Sequence, residues 1–395
     1  MLDLNAFVAQ VAWPVTILLA WFVGEMAFRL VHLPRISAYA LVGFAVAPTQ
    51  AGFLPSGDSN SMLLLANVAF GFILFECGYR INLRWLRSNP WMAVTSVAEA
   101  SLTFVAVYGL CSATGQSQSA ALMLAALSMA SSPATILRVI NEQRSSGQVT
   151  ERILHLAAMN CVLAVFAFKV IVGLVVFQTS GSIWEASYSS LITLVASVLV
   201  GAMAGILVPA MLRTVRRSGQ DSTLAFAVGI ICVVALAHSL KLSPVLAALT
   251  FGLSARHRRA HPVASQHGFG ALGDLLSVLL FVFVASTIEW RQAMAGIGLG
   301  VAIVVVRQLA KLVGIGLFAH FSGTSWRKGL LVGVASAPIS AFVILVLEQT
   351  RHLGINLVDQ LSPLAAAALT MEILAPVCTQ AALRWAKEIH ETKES

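Results

Sequence analysis

The sequence has few charged residues. They make up 11% of its 395 residues, whereas a soluble domain carries about a quarter, because its surface must be hydrated. Its five cysteines show no CxxC or CxxH spacing, which argues against a disulfide framework and against a metal site. No nucleophile–base set and no cofactor motif is present, so we expect no enzyme activity and no cofactor.

Short segments of alternating polarity are also missing, which argues against membrane-spanning strands. The first ten residues contain neither a basic stretch nor a small-residue cleavage site. The first apolar run is therefore predicted to be a retained helix rather than a removable signal peptide.

Long apolar runs dominate instead. Hydrophobic residues make up 58% of the chain, and crossing the hydrocarbon core of a bilayer takes about 20 helical residues. Backbone groups in lipid must pair within their own segment, so these runs are predicted to be helices. We predict an all-α membrane protein with about thirteen transmembrane helices by this length criterion. Their centres lie near Leu18, Val42, Phe70, Thr103, Ala130, Val165, Val198, Ile230, Leu249, Leu279, Val304, Ser340 and Thr370.

The positive charges support this division. The formal net charge is +8, and most of the 25 Lys and Arg residues fall in alternate connections between the apolar runs. This excess is typical of cytoplasmic loops and does not indicate nucleic-acid binding. It predicts a multi-pass protein of a bacterial inner (plasma) membrane, with its N-terminus outside and its C-terminus in the cytoplasm.

Two apolar runs contain a similar interruption. Residues 130–134 read Ala-Ser-Ser-Pro-Ala, and residues 335–339 read Ala-Ser-Ala-Pro-Ile. Proline within a helix removes a backbone hydrogen bond and clashes with the preceding turn. The freed backbone groups must face protein or a water-filled cavity. Interrupted helices at matching positions in two inverted halves indicate the binding site of a secondary transporter.

The chain is therefore predicted to form one transmembrane domain with internal symmetry. Its parts are a first repeat at 8–177, a linker helix at 178–218, a second, inverted repeat at 219–388 and a short cytoplasmic tail at 389–395. The two interrupted helices are predicted to be unwound and to cross near the membrane centre.

Several local patterns resemble the cation:proton antiporter superfamily, which contains sodium/proton antiporters and potassium efflux systems. The patterns are Leu33-Pro34-Arg35-Ile36 before Gly43, Phe75-Glu76-Cys77-Gly78-Tyr79-Arg80 before Leu83-Arg84, Phe281-Val282-Phe283, and Arg307 with Lys311. The resemblance covers nearly the whole chain. It implies a dimerisation domain, a core domain with two crossing unwound helices, and a homodimer.

Two positions depart from that family's usual pattern. The family usually carries Thr-Asp-Pro at the first interruption, where this chain has Ser131-Ser132-Pro133. The sixth helix of the family usually carries an Asp for the cation and the proton, where this chain has Cys161 after Asn160. A thiol is a poor ligand for a hard cation such as sodium, which prefers oxygen.

Charged residues within the apolar runs are further candidates, because they are costly in a membrane. Arg307 and Lys311 are four residues apart and share one helix face. Without an Asp at position 161, they need another partner, which could be Glu372, Glu76 or a bound anion; a structural ion pair is the alternative. We interpret Glu25 and Glu99 as interfacial or dimer contacts. The candidate substrate- and ion-binding residues are Ser131, Ser132, Pro133, Asn160, Cys161, Ser336, Pro338, Arg307, Lys311 and Glu372.

The leading interpretation is a secondary transporter that exchanges a monovalent cation or small solute for protons by alternating access. The first alternative is a proton-uncoupled carrier or anion transporter of the same fold, favoured by the positive ends of the unwound helices. The second is a membrane scaffold or receptor that does not transport. The expected partners are a monovalent cation, protons or a small solute, the lipid bilayer and a second copy of the chain.

Overall fold

The chain is almost entirely helical. The computed structural model describes residues 4–55, 59–175, 183–215, 220–257, 269–339, 341, 343–345 and 361–389. Within these ranges there is no β-strand, which confirms the predicted all-α class. In chain order the helices are α1 (Leu4–Val31), α2 (Arg35–Ala45), α3 (Ser59–Arg80), α4 (Leu83–Ser88), α5 (Trp91–Ala113), α6 (Gln118–Ser128), α7 (Pro133–Glu142), α8 (Gln148–Val175), α9 (Ile183–Val215), α10 (Gln220–Ser239), α11 (Pro244–His257), α12 (Ala271–Ser286), α13 (Trp290–Ala295), α14 (Ile297–Ala319), α15 (Trp326–Ala335) and α16 (Ser362–Trp385).

Eight segments of the described chain are long and apolar enough to cross a membrane, with α6 and α7 counted together. Three shorter apolar helices add to them, at Arg35–Ala45, Thr223–Ser239 and Ala271–Ser286. The chain is thus a multi-pass membrane protein. The count of thirteen spans and the inverted repeats remain predictions, and the predicted span centre at Ser340 lies outside the described residues.

The helices pack in two groups. Helices α5, α6, α7, α8, α14, α15 and α16 contact one another and are called the core group here. Helices α1, α2, α3, α9, α10, α11 and α12 form the second set, called the panel group. The groups meet where α2 packs on α16, α3 on α7 and α8 on α9.

Close backbone approach holds the panel group together. A side chain at Gly78 of α3 would collide with the Leu249 carbonyl of α11, and one at Gly252 of α11 would collide with the Phe75 carbonyl of α3. Glycine at both positions lets these two helices pack backbone against backbone.

The predicted interruptions are present in the core group. Helix α6 ends at Ser128 and α7 begins at Pro133, where the missing proline N–H costs no helical hydrogen bond. The Ser132 side chain caps α7 by accepting from the Thr135 N–H at 3.3 Å. Helix α15 ends at Ala335, residues 336–339 are not helical, and residue 341 is helical again. Both interruptions coincide with the Pro-containing motifs of the sequence.

Candidate functional site

The two non-helical segments touch each other. The Ser132 N–H donates to the Pro338 carbonyl at 3.0 Å, and the Ser131 hydroxyl lies 3.5 Å from the Ser336 carbonyl. Ser131, Ser132 and Ser336 are fully buried. The interruptions therefore form one crossing inside the protein, where free backbone groups are shielded from lipid.

Arg307 of α14 holds this crossing together. Its side chain is fully buried and donates to backbone carbonyls on both segments. The acceptors are Ser128 at 2.9 Å, Ala130 at 2.7 Å, Ala337 at 2.7 Å, Pro338 at 3.2 Å and Ser336 at 3.5 Å. These carbonyls lie at or just beyond the C-terminal ends of α6 and α15, where a helix carries partial negative charge. Arg307 is therefore neutralised by backbone dipoles, and no carboxylate pairs with it among the described ion pairs.

Lys311, one turn along α14, has a carboxylate partner. Its ammonium forms an ion pair with Glu99 of α5, and both side chains are fully buried. The same ammonium donates to the Met129 carbonyl at 3.2 Å and to the Ser131 hydroxyl at 3.1 Å. Three oxygen atoms thus surround a monovalent cationic group next to the crossing.

Asn160 of α8 completes the environment of Glu99. Its amide donates to Glu99 Oε2 at 2.5 Å, and its carbonyl oxygen accepts from the Ser96 hydroxyl at 2.7 Å. Each carboxylate oxygen of Glu99 therefore has a donor. Helix α14 can approach α5 closely because residue 314 is glycine, where a Cβ would lie 2.7 Å from the Glu99 Cα.

The sequence-based assignment of Glu99 as an interfacial or dimer contact was wrong. The partner of Lys311 was expected to be Glu372, Glu76 or an anion, and it is Glu99. Glu76 instead pairs with Arg80 at 3.3 Å and accepts from Asn141 at 2.8 Å. One signal in the sequence could have identified Glu99 as the partner. Glu99 and Lys311 are an acid and a base in two different apolar runs, and such residues stabilise each other in a membrane when they pair.

Most of the predicted site residues converge on the crossing, and Cys161 and Glu372 differ from the rest. The contacts above bring together Ser131, Ser132, Pro133, Asn160, Ser336, Pro338, Arg307 and Lys311. Cys161 is buried and follows Asn160, so its side chain points about 100° away along α8. Helix α8 also contacts α3 of the panel group. Glu372 is buried on α16 and belongs to none of the described ion pairs.

In the described part of the chain, no group of three His, Cys, Asp or Glu side chains could hold a metal ion. The chemistry of the crossing is that of buried charges and oxygen atoms.

Comparison with known proteins assigns the chain to a family. Residues 15–385 match the model of the family "Sodium/hydrogen exchanger, transmembrane". Because the match covers nearly the whole chain, the protein belongs to this family, as its resemblance to cation:proton antiporters predicted. Family and fold are those of a transporter.

A curated relative and two solved structures agree with this assignment. The ammonium/H⁺ antiporter subunit AmhT of Alkalihalophilus pseudofirmus is 24% identical over 338 residues, which are 84% of each chain. The sodium proton antiporter MjNhaP1 of Methanocaldococcus jannaschii at pH 8 superposes with a TM-score of 0.72 and 16% identity, over 95% of this chain and 99% of that one. A second MjNhaP1 structure gives a TM-score of 0.74 and 18% identity, over 99% and 100%. At these identities, the superpositions establish a common fold.

Proposed function

We propose that this chain exchanges a monovalent cation for protons by alternating access, and that Glu99, Lys311 and Asn160 form its exchange site. The observation that carries the proposal is the buried Glu99–Lys311 ion pair beside the crossing of the two interrupted helices. Ionisable residues in a membrane interior are costly even when paired, and they mark ion pathways or proton relays. Membership of the cation:proton exchanger family supports this assignment over an anion carrier or a scaffold.

The ion pair suggests how cation and proton compete. The Lys311 ammonium lies among oxygen atoms of Glu99, Met129 and Ser131. A monovalent cation needs the same kind of oxygen environment. When Lys311 releases a proton to solvent and moves away, a cation takes its place on Glu99; when the proton returns, the cation leaves. Each exchange moves one positive charge in and one out of the site.

The chemistry of the site favours a small monovalent cation. Sodium, potassium and ammonium each carry one positive charge and bind to oxygen, as the Lys311 ammonium does here. Ammonium is supported further by the AmhT relative, which is described as an ammonium/H⁺ antiporter subunit.

Transport by purified protein in liposomes tests this proposal. A pH-sensitive dye inside the vesicles should report proton movement when sodium, potassium or ammonium is added outside. Protein-free liposomes are the control, because neutral ammonia crosses a bilayer without a carrier. If none of the three cations moves protons faster than in the protein-free vesicles at any pH from 6 to 9, the proposed exchange is wrong.

Alternating access requires the core group to move against the panel group, and the end of α7 provides contacts that must separate. Arg138 pairs with Asp274 of α12 at 2.9 Å. Glu142 pairs with Arg35 of α2 at 3.5 Å. Asn141 of the same turn contacts Glu76 of α3, as described above. We call these three contacts the α7 latch.

Weakening the α7 latch should open this end of the core group. We expect the combined changes Asp274→Asn and Glu142→Gln to speed amide hydrogen exchange at residues 138–142 several-fold, because local opening then breaks fewer interactions. Mass spectrometry of the protein in lipid nanodiscs measures this. Arg87→Gln is the control, since this exposed residue of α4 takes no part in the three contacts. Exchange rates that are equal in both variants would show that the latch does not hold the two groups together.

A further inference from the structure

Glu372 is a buried carboxylate, and one of its oxygen atoms has no hydrogen-bond partner among the described residues. It lies in the middle of α16, and 4% of its surface is exposed. Its Oε2 atom is buried and accepts no hydrogen bond from the described residues. Glu99 differs from it, because a donor contacts each of its oxygens.

The register of α15 against α16 locates Glu372. Thr379 donates to the Ala335 carbonyl at 3.1 Å, and Arg327 lies 3.5 Å from the Trp385 carbonyl, so the two helices run antiparallel. Glu372 precedes Thr379 by two helical turns on the same face, about 10 Å along α16. It therefore lies level with the non-helical segment that follows Ala335.

The panel group reaches the same part of α16. The Ser37 hydroxyl of α2 donates to the carbonyl of Ile373, next to Glu372, at 2.8 Å. Helix α16 also packs against α7, which begins at the crossing. Glu372 is thus placed near the boundary along which the two helix groups must move in alternating access.

A purely structural role does not account for this carboxylate. It belongs to none of the ion pairs among the described residues, and its mid-helix position cannot cap a helix end. Burying a carboxylate oxygen without a partner is unfavourable. Such a cost is typical of a group that receives a ligand during function.

We propose that Glu372 is a second ion-binding carboxylate, which binds the transported monovalent cation through Oε2 and exchanges it for a proton. This inference rests on the proposed antiport function and adds a binding residue to it. A proton leaves the carboxyl group to solvent as the cation binds, and it returns as the cation leaves, so charge is conserved at each step. Glu99 binds the cation at the crossing when Lys311 has moved away, and Glu372 binds it at the boundary between the groups.

The variant Glu372→Gln in the full-length protein tests this directly, because it keeps the side-chain size and removes the negative charge. We expect the KM for the cation to rise at least about tenfold in liposomes, with a flatter pH dependence. Added sodium, potassium or ammonium should raise the melting temperature of the wild type, since a bound ligand stabilises the folded state. We expect this stabilisation to be clearly smaller in the variant, in which Glu99 is the remaining carboxylate for the cation. Glu151→Gln, at an exposed carboxylate in the first turn of α8, is the matched control.

The outcomes separate this inference from the proposed function. A wild type without cation-driven proton movement contradicts the antiport proposal, and the melting temperatures still decide whether Glu372 binds a cation. An active wild type combined with an unchanged KM, pH profile and cation stabilisation in Glu372→Gln overturns the role of Glu372. If Glu372→Gln and Glu372→Asp both fail to fold, the carboxylate is structural and the inference is equally overturned.

Discussion

Glu99→Gln is expected to abolish cation-driven proton movement. The substitution leaves the Lys311 ammonium buried without its carboxylate, and removing one partner of a buried ion pair costs about 3–5 kcal/mol. It also removes the negative charge that would hold the transported cation. Proton flux in liposomes and the thermal stability of the purified protein measure the two effects.

The double variant Glu99→Gln with Lys311→Gln separates transport from stability. Removing a buried pair as a whole costs far less than removing one partner, because no uncompensated charge remains. We expect the double variant to recover much of the stability and none of the exchange. Normal flux in Glu99→Gln would show that the exchange site lies elsewhere.

Arg307→Leu is expected to have the second large effect, by releasing the crossing of the interrupted helices. The guanidinium satisfies carbonyls of both segments, and a buried acceptor left without a donor costs about 1–3 kcal/mol. Leucine has no donor, so several buried carbonyls would lose their hydrogen-bond partner. We therefore expect the folded protein to be strongly destabilised and transport to be lost. Melting temperature in detergent and flux in liposomes measure this.

Two further variants define the role of Arg307. Arg307→Lys keeps the charge and loses the multiple donors, so we expect partial recovery of stability. Arg87→Gln, at an exposed residue of α4, should leave stability unchanged. An Arg307→Leu protein as stable as the wild type would contradict an anchoring role.

The proposed cation–proton exchange uses two carboxylates, Glu99 and Glu372. The sequence departs from the family pattern at Cys161, where an ion-carrying Asp is usual. The two carboxylates to which exchange is assigned lie on α5 and α16 instead. The proposed exchange therefore uses no thiol chemistry at Cys161.

Hydropathy and proline positions determined much of this fold. Apolar runs of spanning length must be helical in lipid, whatever their neighbours. The Pro133 and Pro338 motifs interrupt their helices through local sterics, because proline lacks the N–H and clashes with the preceding turn. Family membership likewise follows from patterns spread along the chain. The helices and their interruptions depend on residues close together in sequence, and the family patterns can be recognised without knowing how the helices pack.

The pairing within the candidate site was decided by the tertiary structure. Glu99 and Lys311 are 212 positions apart, and their contact depends on how closely α5 and α14 pack at Gly314. The partners of Arg307 are backbone carbonyls, which every residue has, so no side-chain pattern marks them. Sequence shows that a buried charge needs a partner; which partner it meets depends on helix packing, because several acids satisfy the same electrostatic demand.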